Sequence, residues 1–143
     1  DITAVNDNPT LTGLPSEVTV TEDTESNIDL SAMAFGDVDG DNITVTLTAS
    51  AGTFSVPADG SGVGSGVTTT KVSATVITLA GSVGDLNTYL DTNSNIKYTG
   101  DSNVNGNGAA TISVEANDGN GSGDVSFGST NIDITAVNDN PTL

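Results

Sequence analysis

Side chains that supply hard oxygen ligands gather in four short stretches of this 143-residue chain. Each stretch mixes Asp or Asn with the turn residues that separate apolar segments. The stretches are 6–8 (NDN) with an identical copy at 138–140, 37–42 (DVDGDN), 101–107 (DSNVNGN) and 117–120 (NDGN). Calcium takes six to eight oxygen ligands at relaxed geometry, which loops of this composition can supply. Any one stretch taken alone is equally consistent with a simple turn.

The charge balance favours the cation interpretation. The chain has 19 acidic and two basic side chains, so its formal net charge is −17. Such a charge repels nucleic acid and anionic lipid, and it destabilises a compact fold unless cations are bound. Three carboxylates lie within the five residues from Asp37 to Asp41. The composition therefore predicts divalent cations, Ca²⁺ first, as partners, with no nucleic acid and no direct membrane contact.

The residue types that are absent limit the chemistry further. The chain has no Cys and no His, which excludes thiolate metal sites, disulfides, a catalytic thiol and a Ser-His-Asp triad. Residues 37–48 are not an EF-hand, because Thr48 stands where the bidentate Glu is required. No apolar run is long enough to span a bilayer and neither end resembles a signal peptide. We expect a non-enzymatic, soluble piece of a larger protein.

The two ends of the chain carry the same eleven residues. Residues 1–11 and 133–143 both read DITAVNDNPTL, at an offset of 133 − 1 = 132 residues. An identity of this length indicates a tandem array of near-identical units, cut so that both junctions are kept. Identical modules add length without adding chemistry, so a spacer is the simplest function. A junction duplicated by cloning would imply the same native array.

The hydrophobic pattern predicts an all-β fold, an antiparallel β-sandwich with about seven to nine strands. One short crossover helix is predicted after Ser82, because a capping-box pattern there precedes Leu86, Tyr89 and Leu90 at helical spacing. Phe35, Phe54, Tyr98 and Phe127 are expected in the core with the apolar face of that helix, and residues 60–66 are expected to form a flexible loop. The longer predicted strands are 17–21, 43–49, 72–79, 110–116 and 131–137, and the shorter ones are 27–30, 53–56, 96–99 and 125–127.

Four motifs in order resemble the cadherin-like repeats of bacterial RTX-type adhesins. Val5-Asn-Asp-Asn-Pro9 is similar to the calcium-binding junction of cadherins, and Val18-Thr-Val-Thr-Glu22-Asp23 to their first-strand motif. Asp37-Val-Asp39 resembles their DxD motif, and Ala116-Asn-Asp118-Gly119 the pattern before their last strand. Residues 86–106, with the predicted helix, a Tyr-Thr strand and an Asn-Gly turn, resemble the bacterial branch of the cadherin-like repeats. The chain departs from the cadherin pattern at Ala4 and Ala136, where cadherins have the first Asp of the junction motif. The LDRE motif of cadherins has no clear counterpart, and Asp101 is the residue that would serve in its place.

The resemblance implies an antiparallel Greek-key β-sandwich of the cadherin or immunoglobulin type, with ion sites at both ends. Residues 1–11 would be a linker shared with a preceding repeat, residues 12–132 the sandwich, and residues 133–143 the end of the last strand and the next linker. One end would join the incoming linker to the loops, and the other would join Glu22 and Asp101 to the outgoing linker. The implied metal ligands are Asn6, Asp7, Asn8, Glu22, Asp37, Asp39, Asp41, Asp101, Asp118, Asn138, Asp139 and Asn140.

The implied function is that of a calcium-rigidified extender in a long extracellular adhesin of the Gram-negative cell surface, exported by type I secretion and used in adhesion and biofilm formation. Its partners would be calcium and neighbouring copies of the same repeat, and the isolated domain would be a monomer. Two other readings stay open. One is a calcium-dependent carbohydrate- or protein-binding module, lectin-like or homophilic, although the chain lacks Trp. The other is a glycosidase with a carboxylate pair.

Overall fold

A computed structural model describes residues 2–3, 5–57, 66–121, 123–138 and 141 of the chain. These residues form eleven strands, one α-helix and a 3₁₀ turn at Asn93–Asn95. The elements are β1 (Thr10–Thr12), β2 (Glu17–Thr21), β3 (Ser26–Asn27), β4 (Ala34–Gly36), β5 (Ile43–Ala49), β6 (Thr53–Phe54), β7 (Thr68–Lys71), β8 (Val76–Gly81), α1 (Val83–Asp91), β9 (Lys97–Thr99), β10 (Gly106–Asn117) and β11 (Val125–Thr135).

The strands form the all-β sandwich that the sequence predicts. A six-stranded sheet has the order β2-β11-β10-β5-β8-β7, a three-stranded sheet has the order β3-β9-β6, and β1 pairs with β4. All described pairs are antiparallel except one, because β2 runs parallel to β11 with Glu17 opposite Asn131 and Thr21 opposite Thr135. The strands outnumber the predicted seven to nine because short two- and three-residue ladders are included.

Strict alternation explains why β5 forms and which way it faces. Ile43, Val45 and Leu47 are buried, while Thr44 and Thr46 point to the opposite face of the sheet. Each fully buried side chain of this type contributes roughly 1.5–3 kcal/mol through removal of apolar surface from water. The apolar positions of β5, β10 and β11 therefore fix the inner face of the sheet, and the threonines cover its outer face.

Helix α1 confirms the prediction made from the capping pattern. The Ser82 side chain accepts a hydrogen bond from the Asp85 backbone N–H at 3.2 Å, which satisfies one free donor of the first turn. Leu86, Tyr89 and Leu90 are buried on one face. The helix follows β8 and precedes β9, so it carries the chain from the large sheet to the small one. No described helix is long and apolar enough to span a membrane.

Several predicted strands differ from the structure. Residues 72–79 are not one strand, because Val72 N–H donates to the Val76 carbonyl at 2.9 Å and closes a hairpin between β7 and β8. The turn lacks Gly, Asn and Pro, so the alternating pattern runs through it unmarked. Predicted strands 125–127 and 131–137 are one continuous strand, β11, whereas 27–30 and 53–56 are shortened to two residues. Of the predicted loop 60–66, residues 60–65 lie outside the described residues.

Three of the predicted aromatic residues are buried in the core and Phe127 is partly buried against it, and the four form two edge-to-face pairs. Phe35 and Phe127 have ring centroids 6.0 Å apart, and Phe54 and Tyr98 have centroids 5.8 Å apart. Because the interior is apolar, the polar clusters lie at the two ends of the sandwich. We call the end with the loop 37–42, the turn 118–124 and segment 5–9 the entry end. The opposite end, with Glu22, residues 101–105 and residues 136–138, is the exit end.

Strand β1 begins at Thr10, inside the predicted first linker, where it pairs with β4. Strand β11 ends at Thr135, paired with β2, within the segment predicted to contain the end of the last strand.

Candidate metal centre

Strand register brings two acidic segments together at the entry end. The loop 37–42 lies between β4 and β5, and Asp118 follows the last residue of β10. Strands β5 and β10 are antiparallel neighbours with Thr44 opposite Asn117. The loop that leads into β5 and the turn that leaves β10 must therefore lie side by side, although about eighty residues separate them in sequence.

Three carboxylates converge there. Carboxylate oxygens of Asp37, Asp41 and Asp118 all lie within 4.8 Å of one another. Asp118 is only 5% exposed, and the other two are partly buried. The one salt bridge found among the described residues joins Lys97 to Glu25, on a different part of the molecule. No lysine or arginine therefore balances these three carboxylates within the described part of the chain.

One oxygen of this group has no hydrogen-bond donor. Asp37 Oδ1 accepts the backbone N–H of Asp39 at 2.9 Å and that of Asp41 at 3.5 Å, which folds the loop around it. Asp37 Oδ2 is buried, and no described residue donates to it. A buried charged oxygen without a donor is costly, and a cation removes that cost. The donor set contains only oxygens, which suits Ca²⁺ or Mg²⁺.

The incoming segment is attached to the same group of loops. The Asn6 side-chain amide donates to Asp118 Oδ2 at 2.8 Å. The Asp7 backbone N–H donates to Asp39 Oδ2 at 2.6 Å. Asn8 is exposed, and no described contact brings it to the three carboxylates. Asp39 thus accepts a hydrogen bond from the incoming backbone and is not part of the carboxylate group. The DxD resemblance implies Asp39 as a ligand beside Asp37 and Asp118, and in the structure Asp41 lies there.

At the exit end, Glu22 is buried but its charge is met by donors. It is 2% exposed, and its Oε2 accepts the Val137 backbone N–H at 2.9 Å and the Asn105 amide at 3.4 Å. The Glu22 backbone N–H donates to the Thr135 carbonyl at 2.9 Å. Glu22 therefore fastens the outgoing segment directly to the end of β2.

The other predicted ligands of the exit end are less closely associated. Asn138 and Asp101 are exposed, and Asp139 and Asn140 lie outside the described residues. Burial raises the pKa of the Tyr98 phenol above its ordinary value, and the negative charge of Asp101 raises it further. The structure does not place Asp101 in the group of three carboxylates.

Sequence reasoning missed the role of Asp124. Its Oδ1 accepts the Asn117 amide at 3.1 Å, which ties the start of β11 to the end of β10. The available signal was its position directly after Gly123 and before an apolar strand, where a turn residue faces the end of the preceding strand. The role of Asn105 was also missed, although it lies in one of the acidic stretches.

The comparisons with known proteins add no family to these observations. No family model matches the chain, and no curated protein matches it.

Proposed function

We propose that this chain is a calcium-binding repeat that serves as a calcium-rigidified extender in a long bacterial surface adhesin. The observation that carries the proposal is the buried Asp37 Oδ2, to which no described residue donates, in a carboxylate that lies within 4.8 Å of those of Asp41 and Asp118. In a chain with net charge −17, a cation is the ligand that this oxygen lacks.

The ion would act on the join between domains as well as on the fold. Asn6 and Asp7 already contact Asp118 and Asp39, so the incoming segment lies against the loops that would hold the ion. An ion bound to this group cancels the repulsion between carboxylates and stabilises the bound state by mass action. The bound ion would therefore hold the incoming segment in one orientation relative to the sandwich, where the ion-free chain could sample many orientations.

The repeated string supports the role in extension. The segment that enters at one end and the segment that leaves at the other have the same sequence, so each copy can present its neighbour with the same junction. Glu22 anchors the outgoing segment, and the carboxylate group would anchor the incoming one. Copies joined in this way form a rod, which holds a distal ligand-binding domain away from the cell.

Weak sites are sufficient for this function. Extracellular modules bind Ca²⁺ with dissociation constants of about 10⁻⁴–10⁻³ M, and these sites fill at millimolar extracellular calcium. The same sites would be empty in a cytoplasm that is poor in calcium. The proposal therefore predicts a compact, aligned array only after export.

Thermal unfolding of the chain in EDTA, in millimolar calcium and in millimolar magnesium tests the ion site. We expect calcium to raise Tm well above magnesium, because Mg²⁺ demands a stricter octahedral shell and keeps its water. Asp37→Asn should abolish the calcium increment. Glu17→Gln removes the same unit of charge from an exposed position on β2 and should leave the increment intact.

The extender role needs a second measurement. A two-repeat chain, in which residues 133–143 of the first copy serve as residues 1–11 of the second, should show a longer maximum dimension in calcium than in EDTA by small-angle X-ray scattering. Equal calcium and magnesium effects on Tm would reject the calcium site. A calcium-dependent Tm without any change in the dimension of the two-repeat chain would reject the extender and keep the site.

A further inference from the structure

A polar groove crosses the outer face of the six-stranded sheet next to the entry end. Its volume is about 620 Å³, which falls within the range of small-molecule sites. Its floor is formed by β5 and β8, and its sides by the start of β7 and by the β10–β11 turn. The residues that line it are Asn42, Ile43, Thr44, Thr46, Gly66, Thr68, Ala80, Gly81, Asn117, Asp118, Gly119 and Asp124.

Small side chains in the middle of the sheet create this depression. Ala80 on β8 lies between Thr44 on β5 and Thr68 on β7, which are its partners in the two ladders. At the next residue, a Cβ on Gly81 would come within 2.9 Å of the Gly66 carbonyl, so the chain that leads into β7 lies close beside β8. Ala80 faces outward with Thr44, and its methyl group leaves room that a larger outward-facing side chain would fill.

Hydroxyl, amide and carboxylate groups surround the groove. Thr44 and Thr46 point outward because the alternate residues of β5 are buried in the core. Asn117 stands opposite Thr44, and its amide is held by Asp124 Oδ1 at 3.1 Å. A threonine hydroxyl can donate and accept at once, which matches the paired donor and acceptor character of sugar hydroxyls.

The charge of the groove restricts the ligand. Among the described residues that line it, none is Lys or Arg, while Asp118 and Asp124 contribute carboxylates at one end. Phosphates, sulfated sugars and uronic acids would be repelled. No described aromatic side chain lines the groove, so no stacking platform adds to the hydrogen bonds and the affinity is expected to be weak.

We propose that this groove binds a neutral oligosaccharide through the hydroxyl groups of Thr44, Thr46 and Thr68 and the amide of Asn117. This inference goes beyond the extender function, because it requires neither a second copy nor an ion. It would give each repeat a weak site of its own, and many weak sites along one array bind a polymeric glycan far more tightly than one site does.

The test is a nuclear magnetic resonance titration of the ¹⁵N-labelled chain in millimolar calcium. The probes are maltohexaose, cellohexaose and mannohexaose, with a polygalacturonate hexamer as the anionic probe and hexalysine as the cationic peptide. We expect at least one neutral hexasaccharide to shift the amide signals of Thr44, Thr46 and Thr68 saturably, with a millimolar Kd. The anionic probe should leave these signals unchanged.

Matched variants locate the ligand. Thr46→Val removes one hydroxyl at constant shape and should weaken binding by about two- to tenfold, the value of one net hydrogen bond. Thr48→Val makes the same change on the same face of β5 but outside the groove, and it should have no effect. Ala80→Leu fills the floor from the outer face and should abolish binding. Asp37→Asn should abolish the calcium increment in Tm and keep saccharide binding.

Several results would overturn the proposal. Absence of saturable shifts with all three neutral probes rejects a saccharide site, as does an equal loss of affinity in Thr46→Val and Thr48→Val. Preferential binding of hexalysine at the groove assigns it to a cationic peptide instead. Because the calcium site is read separately through Tm, a failed titration leaves the extender proposal unchanged.

Discussion

The buried carboxylates at the two ends of the sandwich differ in their hydrogen-bond partners. At the exit end, the buried Glu22 receives the Val137 N–H and the Asn105 amide. At the entry end, three carboxylates approach within 4.8 Å, and the buried Asp37 Oδ2 has no donor among the described residues. Among the described residues, Glu22 therefore has protein donors, whereas the Asp37 oxygen has none and could be balanced by the cation that we propose. Acidic residues at an end of the fold do not by themselves imply an ion. The number of hydrogen-bond donors that reach a buried carboxylate indicates whether it needs a cation.

The largest expected effect comes from removing the buried Glu22 carboxylate at the exit end. Glu22→Ala leaves the Val137 N–H and the Asn105 amide without their acceptor and empties a buried site, so we expect a loss of about 2–3 kcal/mol in the free energy of unfolding. The loss should be the same in calcium and in EDTA, as measured by urea unfolding. Glu22→Gln keeps an acceptor oxygen and should cost no more than about 1 kcal/mol. A loss confined to calcium-containing buffer would instead make Glu22 an ion ligand of the isolated chain.

The next effect separates the two aspartates of the entry loop. Asp41→Asn removes one member of the carboxylate group and should remove most of the calcium stabilisation, roughly 1.4 kcal/mol when the free ion is about ten times Kd. Asp39→Asn keeps an acceptor for the Asp7 N–H and should retain most of that stabilisation. Calorimetric calcium titration of both variants measures the difference. The opposite order of effects would place Asp39 in the ion shell, as the DxD resemblance implies.

A smaller effect is expected from the other buried oxygen without a described donor. Thr130 Oγ1 is fully buried on the inner face of β11, in line with Ile132 and Ile134. No ion is needed there, because the hydroxyl is neutral and lies in the core. Thr130→Val should raise the free energy of unfolding by about 0.5–1 kcal/mol, equally with and without calcium. Destabilisation by Thr130→Val would show that the hydroxyl has a partner, such as a buried water.

The smallest effect reports on Asp101. Burial and the Asp101 charge raise the Tyr98 pKa in the folded state. The stability linked to this group is therefore complete below the ordinary tyrosine pKa of 10.0 and is lost as the pH rises through the folded pKa. Asp101→Asn should lower the Tyr98 pKa. Calcium should leave it unchanged in the single chain, which a ¹³C titration of the tyrosine ring measures. A calcium-induced fall in this pKa would place an ion on Asp101.

The sequence predicted much of the local structure. The bounds of β2 and β5 and the start of α1 follow from alternation and from the Ser82 cap, because these signals lie within the elements themselves. The hairpin at residues 72–76 was not predictable in the same way, since its turn has ordinary strand formers. The meeting of Asp37 with Asp118 was expected only from the resemblance. The convergence of Asp41 rather than Asp39 on Asp37 and Asp118 depends on which backbone groups reach each carboxylate, which composition does not encode.

The repeated string separates what sequence determines from what tertiary structure decides. In both copies the sequence by itself determines a β-forming stretch followed by an oxygen-rich turn and a proline. In the second copy Ile134 is 3% exposed in the core and Val137 is held by Glu22. In the first copy the equivalent Ile2 is 101% exposed and Val5 is 77% exposed. The identical residues differ in burial because burial requires neighbouring strands to pair with. The second copy has these neighbours, because β11 lies between β2 and β10.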